Sequence, residues 1–282
     1  MKKILVPTDF SNLAQIATDV ASDLAKKMKA EVILLHVIEQ PGSGSFNVTG
    51  EVNSYGDGEN KLFTLKLIQK SKTQLSSAVE TLRVMGVKAK SELRMGNPFH
   101  GIRALITEQK VDLIIMGTEG QSKLESMIIG SNTEKVIRHA VCPVLTVNKK
   151  PKAVNFKNIV YATSLLGGEE QFVKVISEIQ EYFKSRLHLV WINTPMVFQP
   201  DHIVRKVMHD FAVKQKLKNY SVTAFSDYSP EEGIIHFSES IGADLIAMAT
   251  HGRTGFAHVL TGSIGEEVAT HSRRPVITFL IK

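Results

Sequence analysis

Asp112 to Val147 reads DLIIMGTEGQSKLESMIIGSNTEKVIRHAVCPVLTV, and this stretch decides the fold. It opens on a short apolar run, DLIIM, whose length is typical of a strand buried on both faces and too short for a buried helix. Gly117 and Gly120 follow at once, where a strand must turn sharply and another group can approach the backbone closely. The run therefore predicts a buried strand that ends in a glycine turn.

A helix is predicted to follow this turn. Ser131-Asn132-Thr133-Glu134 has the Ser-x-x-Glu form of a capping box, and the helix is expected to end near Ala140, before a closing strand at Val144–Val147. A helix start offers unpaired N–H groups and a partial positive charge, which suits a phosphate. Gly130 would let a phosphate come close, and the Ser131 hydroxyl would donate to it. Taken alone, the pattern fits a plain strand, turn and capped helix equally well.

Strands and helices alternate along the first half of the chain. The predicted strands are Ile4–Val6, Val32–Ile38 and Lys88–Leu93, and the predicted helices follow a Ser11-Asn12 cap, span Leu62–Met85 and span Phe99–Gln109. This alternation predicts right-handed crossovers and a parallel sheet. Gln40 to Asn60 holds five glycines among polar residues and is predicted to be a mobile loop that covers the first site.

The second half repeats the first. Ile159 lies 155 positions after Ile4 (159 − 4), and Ser263 lies 132 positions after Ser131 (263 − 131). The difference, 155 − 132 = 23 residues, is extra chain in the first half, where the glycine-rich loop lies. The repeat predicts a first domain at 1–147, a linker at 148–156 and a second domain at 157–282.

Composition narrows the classes of protein. The 282 residues are 43% hydrophobic and 22% charged, with a net charge of +6 (34 − 28), which is typical of a globular protein. The lysines are scattered, which argues against a nucleic-acid face, and no apolar run reaches the ~20 residues of a membrane span. The N-terminus lacks a signal-peptide core, which favours the cytoplasm. Cys142, the single cysteine, is expected to be a buried, inert thiol, and the histidines show no metal-ligand spacing.

The glycine pattern resembles that of a known family. Gly117, Gly120 and Gly130-Ser131, with Pro7-Thr8-Asp9 after the first strand, resemble the nucleotide-binding universal stress proteins, and the resemblance covers two tandem domains. It implies two Rossmann-like α/β domains of the adenine nucleotide alpha hydrolase type. Each would be an open, mainly parallel five-stranded sheet flanked by helices, with a ligand where the strand order reverses.

The resemblance also implies a ligand, ATP or another adenine nucleotide. Any magnesium ion would be bound to the nucleotide and would have no ligand from the protein. The residues that match the family's site are Pro7, Thr8, Asp9, Val37, Met116, Gly117, Gly120, Gly130, Ser131, Asn132 and Thr133. Asp9 would hold the adenosine, Val37 would line the base pocket, and the residues from Gly130 onward would surround the phosphates. Alternatively, Asp9 caps the next helix, and Val37 and Met116 are core residues.

Several positions depart from the family pattern. Glu119 puts a carboxylate inside the glycine turn, where it would repel phosphates unless it points outward or a cation bridges the two. In the second half, Ser164 replaces Asp9 and Ala249 replaces Gly117. A weaker anion site is predicted there, formed by Gly252, Arg253, Gly262 and Ser263.

The function that these observations favour is a stress-response sensor or regulator that binds adenine nucleotide in its first domain. A slow ATPase is one alternative, although the sequence shows neither a Walker lysine nor an evident acid–base or nucleophile–base pair. A nucleotide-free scaffold for dimerisation or partner binding is the other. The closing strands Val144–Val147 and Val276–Leu280 are predicted to meet in an internal pseudo-dimer, and a homodimer of tandem chains stays open.

Overall fold

The chain folds around one continuous sheet. The computed structural model describes residues 1–39, 57–118, 129–149, 154–165, 167–251 and 264–281. The first-half strands β1–β5 are Lys3–Pro7, Glu31–Ile38, Lys88–Met95, Leu113–Gly117 and Val144–Val147, and the helices α1–α4 are Asn12–Met28, Asp57–Val84, Pro98–Gln109 and Ser131–His139. The second-half strands β6–β10 are Asn158–Ala162, Arg186–Asn193, Tyr220–Ser226, Leu245–His251 and Val276–Ile281, and the helices α5–α8 are Glu170–Phe183, Asp201–Lys214, Pro230–Ser240 and Ile264–His271.

The described strands form a ten-stranded sheet in the order β3-β2-β1-β4-β5-β10-β9-β6-β7-β8. Neighbouring strands run parallel within each half, and β5 pairs antiparallel with β10. Side chains of α1, α2, α5 and α6 pack on one face of the sheet, and those of α3, α4, α7 and α8 pack on the other. The predicted α/β fold class, with a five-stranded parallel sheet in each half, is confirmed. No helix in the described ranges is long and apolar enough to cross a membrane.

The repeat seen in the sequence reappears in the pairing of the strands. Position 3 of β1 corresponds to 158 of β6 (158 − 3 = 155), and position 113 of β4 corresponds to 245 of β9 (245 − 113 = 132). A packing contact repeats as well. A Cβ at Gly101 of α3 would stand 2.9 Å from Val37 Cγ2, and one at Gly233 of α7 would stand 2.5 Å from Ile192 Cγ2. In both halves a glycine lets the helix approach the branched side chain near the end of the second strand.

One predicted boundary is wrong. Residues 57–60, assigned to the loop from Gln40 to Asn60, are the first turn of α2. The glycine at 58 made these four residues look like a continuation of the glycine-rich loop. The rest of the loop lies outside the described residues.

The two halves join through their closing strands, as the sequence predicts. Val276 pairs with Thr146 and Thr278 with Val144. The contact is reciprocal, because the Thr146 hydroxyl donates to the Val276 carbonyl (3.2 Å) and the Thr278 hydroxyl donates to the Val144 carbonyl (3.4 Å). Each half thus covers the strand edge that the other would expose.

A fragment of residues Met1 to Lys150 should therefore self-associate. Without β10, the uncharged β5 edge has unpaired N–H and C=O groups, and such an edge invites pairing. We expect this fragment to run as a dimer or larger species in sedimentation, while the full chain does not pair through β5. A fragment that stays a soluble monomer at high concentration would contradict this role of β5.

Cys142 is buried in the core between α4 and β5, with 7% of its surface exposed. Burial, with a smaller contribution from Asp112, raises the pKa of its thiol to about 12. A thiol with so high a pKa holds almost no thiolate at neutral pH. We expect iodoacetamide to leave Cys142 unmodified in the native protein and to label it in guanidinium, with mass spectrometry as the readout. Rapid labelling of the native protein would show the thiol to be open.

Candidate functional site

The turn after β1 is held by its own side chains. The Thr8 N–H donates to the Leu35 carbonyl (2.8 Å), and the Phe10 N–H donates to Thr8 Oγ1 (3.0 Å). Phe10 has a φ of 62°, a left-handed conformation that non-glycine residues adopt only where surrounding contacts enforce it. Its ring packs on His36, with centroids 4.6 Å apart. His36 in turn donates from Nδ1 to the Thr8 carbonyl (2.7 Å), since a carbonyl oxygen can only accept.

Asp9 lies at the head of this turn, partly buried. Its Oδ1 accepts a hydrogen bond from the Ser11 N–H at 2.9 Å. The N-cap of α1 is Ser11, whose side chain accepts from the Ala14 N–H at 3.2 Å. Asp9 therefore braces the residue that caps the helix rather than capping it itself. The predicted cap at Ser11 is confirmed.

The start of α4 lies against the end of β4. The Gly130 N–H donates to the Thr118 carbonyl (2.6 Å), and the Thr133 hydroxyl donates to the Gly117 carbonyl (3.0 Å). The predicted capping box at Ser131 is wrong, because Gly130 is the N-cap and no side chain among the described residues caps this helix start. The two bonds to β4 set where the helix begins, and they leave Ser131 exposed as its first residue. A start without a side-chain cap keeps N–H groups available to an anion.

Gly117 lies between the start of α1 and the start of α4. A Cβ at this position would stand 2.9 Å from Leu13 Cβ and 3.3 Å from the Leu13 carbonyl oxygen, so α1 already fills the space beside it. Met116 is buried, with 6% of its surface exposed, and Val37 packs partly buried against α3. The packing of Gly117 and Met116 accounts for these residue types without a ligand.

The site residues meet where the strand order reverses. After β1 the chain crosses to β2 on one side, and after β3 it crosses back to β4 on the other. The carboxyl ends of β1 and β4 are thus the switch point at which open α/β sheets bind ligands. Pro7, Thr8 and Asp9 follow β1 there, and the start of α4 is bonded to the end of β4. Gly120, Glu119, Gly252, Arg253, Gly262 and Ser263 lie outside the described residues.

The comparisons with known proteins agree with this architecture. A sequence model of the universal stress protein family matches residues 1–148 and 155–279 of this chain. The chain belongs to the universal stress protein family. It is 25% identical over 297 residues to the universal stress protein Slr1230 of Synechocystis sp., covering 99% of this chain and 100% of that one. It is 36% identical over 156 residues to the universal stress protein MJ0577 of Methanocaldococcus jannaschii, covering 53% of this chain and 96% of that one.

Among solved structures, a universal stress protein from Archaeoglobus fulgidus superposes with a TM-score of 0.77 at 19% sequence identity. The match covers 99% of this chain and 98% of that one. At this level of identity the likeness concerns the fold, and it extends over both halves of the chain.

In this universal stress protein the second half repeats the β1 turn without its carboxylate. The Leu165 N–H donates to Thr163 Oγ1 (3.0 Å), and Leu165 has a φ of 56°, as Phe10 does in the first half. Between them the exposed Ser164 stands where Asp9 stands. The offset of 155 maps the start of α1 to position 167, yet α5 begins three residues later, at Glu170. Gly167 and Gly168, with φ of 89° and 78°, replace the missing first residues of the helix.

Glu169, the residue just before α5, places a buried carboxylate next to this second turn. Glu169 is 1% exposed and accepts hydrogen bonds from the Tyr161 hydroxyl and from Thr163 Oγ1 (2.6 Å). Burial, followed by the neighbouring Glu169 carboxylate, holds the pKa of Tyr161 far above its usual value, so its hydroxyl stays a donor. The two turns thus share a backbone but differ in charge. The first-half turn carries the Asp9 carboxylate, whereas the second-half turn lies over the buried Glu169 carboxylate.

Sequence reasoning missed several residues of this universal stress protein's sites. The histidines were considered only as metal ligands, but His36 directly precedes Val37 and donates to the Thr8 carbonyl. Trp191 occupies the corresponding position in the second half (191 − 155 = 36), where its Nε1–H donates to Asn193 Oδ1 (3.1 Å). The repeat offset was the signal that could have found both.

The structure also shows a hydrogen-bonded serine and histidine that the sequence did not reveal. Ser221 Oγ lies 3.0 Å from His188 Nδ1, and His188 Nε2 lies 3.2 Å from Asn158 Oδ1. Burial, with Arg186, lowers the pKa of His188 and favours its neutral form. This cluster lies nearer the amino ends of β6–β8, away from the carboxyl ends where the candidate site is. It therefore does not serve that site.

Proposed function

We propose that this universal stress protein binds an adenine nucleotide, ATP, at the switch point of its first half and that occupancy regulates a partner in the stress response. In this proposal residues 1–147 are the nucleotide domain, 148–156 the linker and 157–282 a second domain with a degenerate site. Asp9 accepts hydrogen bonds from the adenosine, and the residues from Gly130 to Thr133 surround the phosphates.

The start of α4 is the observation that carries the proposal. Within the part of the chain that the structure describes, no side chain caps it; its first residue is the exposed Ser131, and two hydrogen bonds fix it to the end of β4. Backbone N–H groups and a serine hydroxyl are the donors that phosphates use, and the helix dipole adds a favourable field. A rigid, uncapped helix start at the switch point therefore fits a phosphate group.

The β1 turn supplies the other end of the proposed site. Asp9 is held by the Ser11 N–H, and the Phe10–His36 contact fixes the turn behind it. A carboxylate on a braced turn accepts hydrogen bonds from hydroxyl or amino groups with little loss of conformational freedom. The residue types fit a nucleoside at one end and a phosphate at the other.

A nucleotide-free scaffold is the second candidate. Leu13 fills the space beside Gly117, and the Met116 side chain lies in the core, so these two residues have a packing role whether or not a ligand binds. The joined β5 and β10 give such a scaffold its continuous sheet.

Mass spectrometry of small molecules released from purified protein separates the two candidates. We expect an adenine nucleotide at close to one per chain, and a rise in the midpoint of thermal unfolding on addition of ATP to protein stripped of ligand, since binding to the native state stabilises it. Protein that carries no nucleotide and melts at the same temperature with and without ATP would leave the scaffold reading.

A further inference from the structure

The two edges of the ten-stranded sheet differ in charge. β3 forms one edge and β8 the other. β3 carries Lys88, Lys90, Glu92 and Arg94, whereas β8, which reads YSVTAFS, carries no charged residue. Charged side chains on an edge strand prevent pairing with another strand, and an uncharged edge lacks this protection. The second-half edge is therefore the less protected of the two.

The repeat shows where the protecting charges are missing. Lys90 pairs with Ile33 in the first half, and Ser221 pairs with His188 in the second (188 − 33 = 155). Ser221, Thr223 and Phe225 thus stand where β3 has Lys90, Glu92 and Arg94. At these three positions β8 has uncharged residues where β3 has charged ones.

Half of the backbone of β8 faces away from the sheet. The Leu187 N–H donates to the Asn219 carbonyl and the Asp227 N–H donates to the Asn193 carbonyl (both 3.0 Å), so odd-numbered residues of β8 bond to β7. In a parallel ladder the even-numbered residues then direct their N–H and C=O groups outward. Arg205 donates to the Val222 carbonyl from that side (3.0 Å), which agrees with this assignment. No residue of β8 is fully buried.

We propose that β8 is a contact between two copies of this chain, which pair antiparallel, β8 against β8, around a two-fold axis. An antiparallel strand pair is self-complementary, because each residue that faces the partner is faced in return. The chain already joins its own halves in this way through the uncharged β5 and β10. Lys216 and Lys218 precede β8 and Asp227 follows it, so the basic end of each strand would lie beside the acidic end of the other.

Arg205 must release the Val222 carbonyl before two β8 strands can pair. Its guanidinium bonds to Asp201 (2.6 Å) and covers the Val222 carbonyl in the single chain, but its side chain is 52% exposed. A bond held by so exposed a side chain is readily exchanged for an N–H of the partner strand. The remaining outward backbone groups of β8 are the Val222 N–H and the N–H and C=O groups of Tyr220, Ala224 and Ser226.

Sedimentation of the full chain over a wide range of concentrations tests the proposal. We expect the mass to rise with concentration from 31.2 kDa to twice that value. Thr223→Lys should raise the dimer dissociation constant at least about tenfold, because lysines from both copies then meet near the two-fold axis. Ala224→Pro should also abolish pairing, since it removes an outward N–H while the ladder to β7 does not use that group.

Two controls bound the result. Thr223→Val keeps an uncharged, β-branched strand residue and should pair as the wild type does, and Glu92→Lys on the opposite edge should leave pairing unchanged. Circular dichroism verifies the fold of each variant, and if one of the two β8 variants fails to fold, the other decides. A wild-type chain that stays at 31.2 kDa at the highest concentration, or an unchanged dissociation constant in folded Thr223→Lys, overturns the proposal.

Discussion

Asp9→Ala is expected to weaken ATP binding by roughly ten- to 150-fold, while Ser164→Ala, its counterpart in the second half, leaves binding unchanged. A hydrogen bond to a charged acceptor contributes about 1.5–3 kcal/mol, and each ~1.4 kcal/mol is a factor of ten in affinity. Ser164 lies at the same place on the repeated turn but carries no charge and is exposed. Calorimetry on both variants measures the difference.

Asp9→Asn separates the charge from the turn. An asparagine oxygen still accepts from the Ser11 N–H, so the turn keeps its brace, while the acceptor for the adenosine loses its charge. We expect Asp9→Asn to bind more weakly than the wild type and more tightly than Asp9→Ala. If Asp9→Asn binds as the wild type does, the carboxylate acts through the turn and does not hold the ligand.

Gly130→Val tests the phosphate end of the same site and should abolish most binding. Gly130 has a φ of −60° and a ψ of 136°, a conformation that valine adopts without strain, so the change acts by blocking the helix start. The matched change in the second half, Gly262→Val, should leave binding nearly intact.

The single tryptophan adds a second readout of which half is occupied. Trp191 lies in the second half at the position of His36, so ATP bound in the first half should leave its fluorescence nearly unchanged. ATP binding that survives Asp9→Ala, disappears with Gly262→Val and alters Trp191 emission would place the nucleotide in the second half.

Much of the fold could be predicted because it depends on patterns of residues that are close together in the sequence. Apolar runs of strand length, the helix start at Ser11 and the repeat offsets of 155 and 132 each appear in the structure. The start of α4 could not be predicted in the same way. Ser-x-x-Glu names Ser131 as the cap, but hydrogen bonds from Gly130 and Thr133 to the end of β4 decide where the helix begins.

The candidate site was less accessible to sequence reasoning, since its geometry depends on contacts between distant residues. Nothing local indicates that Phe10 takes a left-handed conformation, because the His36 ring that packs on it belongs to the next strand. The loss of Asp9 at Ser164 could be predicted from the repeat. The carboxylate that Glu169 buries under the second turn could not, as its donors, Tyr161 and Thr163, lie on β6 and just after it.

Arg138→Met is expected to destabilise the protein by about 1.5–3 kcal/mol, the range for hydrogen bonds to charged groups. Arg138 of α4 reaches across the joint between the halves and binds both oxygens of Glu266 on α8, the Nη2–Oε2 distance being 2.6 Å. Its Nη2 also lies 2.9 Å from Glu134 Oε1 of its own helix. The Glu266 side chain is 7% exposed, so without Arg138 its carboxylate would stay buried after losing both of these hydrogen bonds.

The hydrogen bonds to Glu266 also raise the pKa of Arg138 above its usual value, so the guanidinium stays charged at any working pH. Thermal unfolding measures the loss, at about 2–4 °C in Tm for each kcal/mol in a chain of this size. Asp201→Asn is the control, because it breaks an exposed pair with Arg205 that contributes about 1 kcal/mol or less and leaves the Arg205 bond to the Val222 carbonyl in place.

The double variant Arg138→Met/Glu266→Leu distinguishes a buried charge from lost structure at the joint. Replacing both partners by apolar side chains of similar size removes the buried carboxylate together with the arginine, and such replacements are often neutral or stabilising. We therefore expect the double variant to recover most of the Tm that Arg138→Met loses. If Arg138→Met lowers the Tm no more than Asp201→Asn does, the bridge contributes little, and the joint depends on the β5–β10 pairing and the shared core.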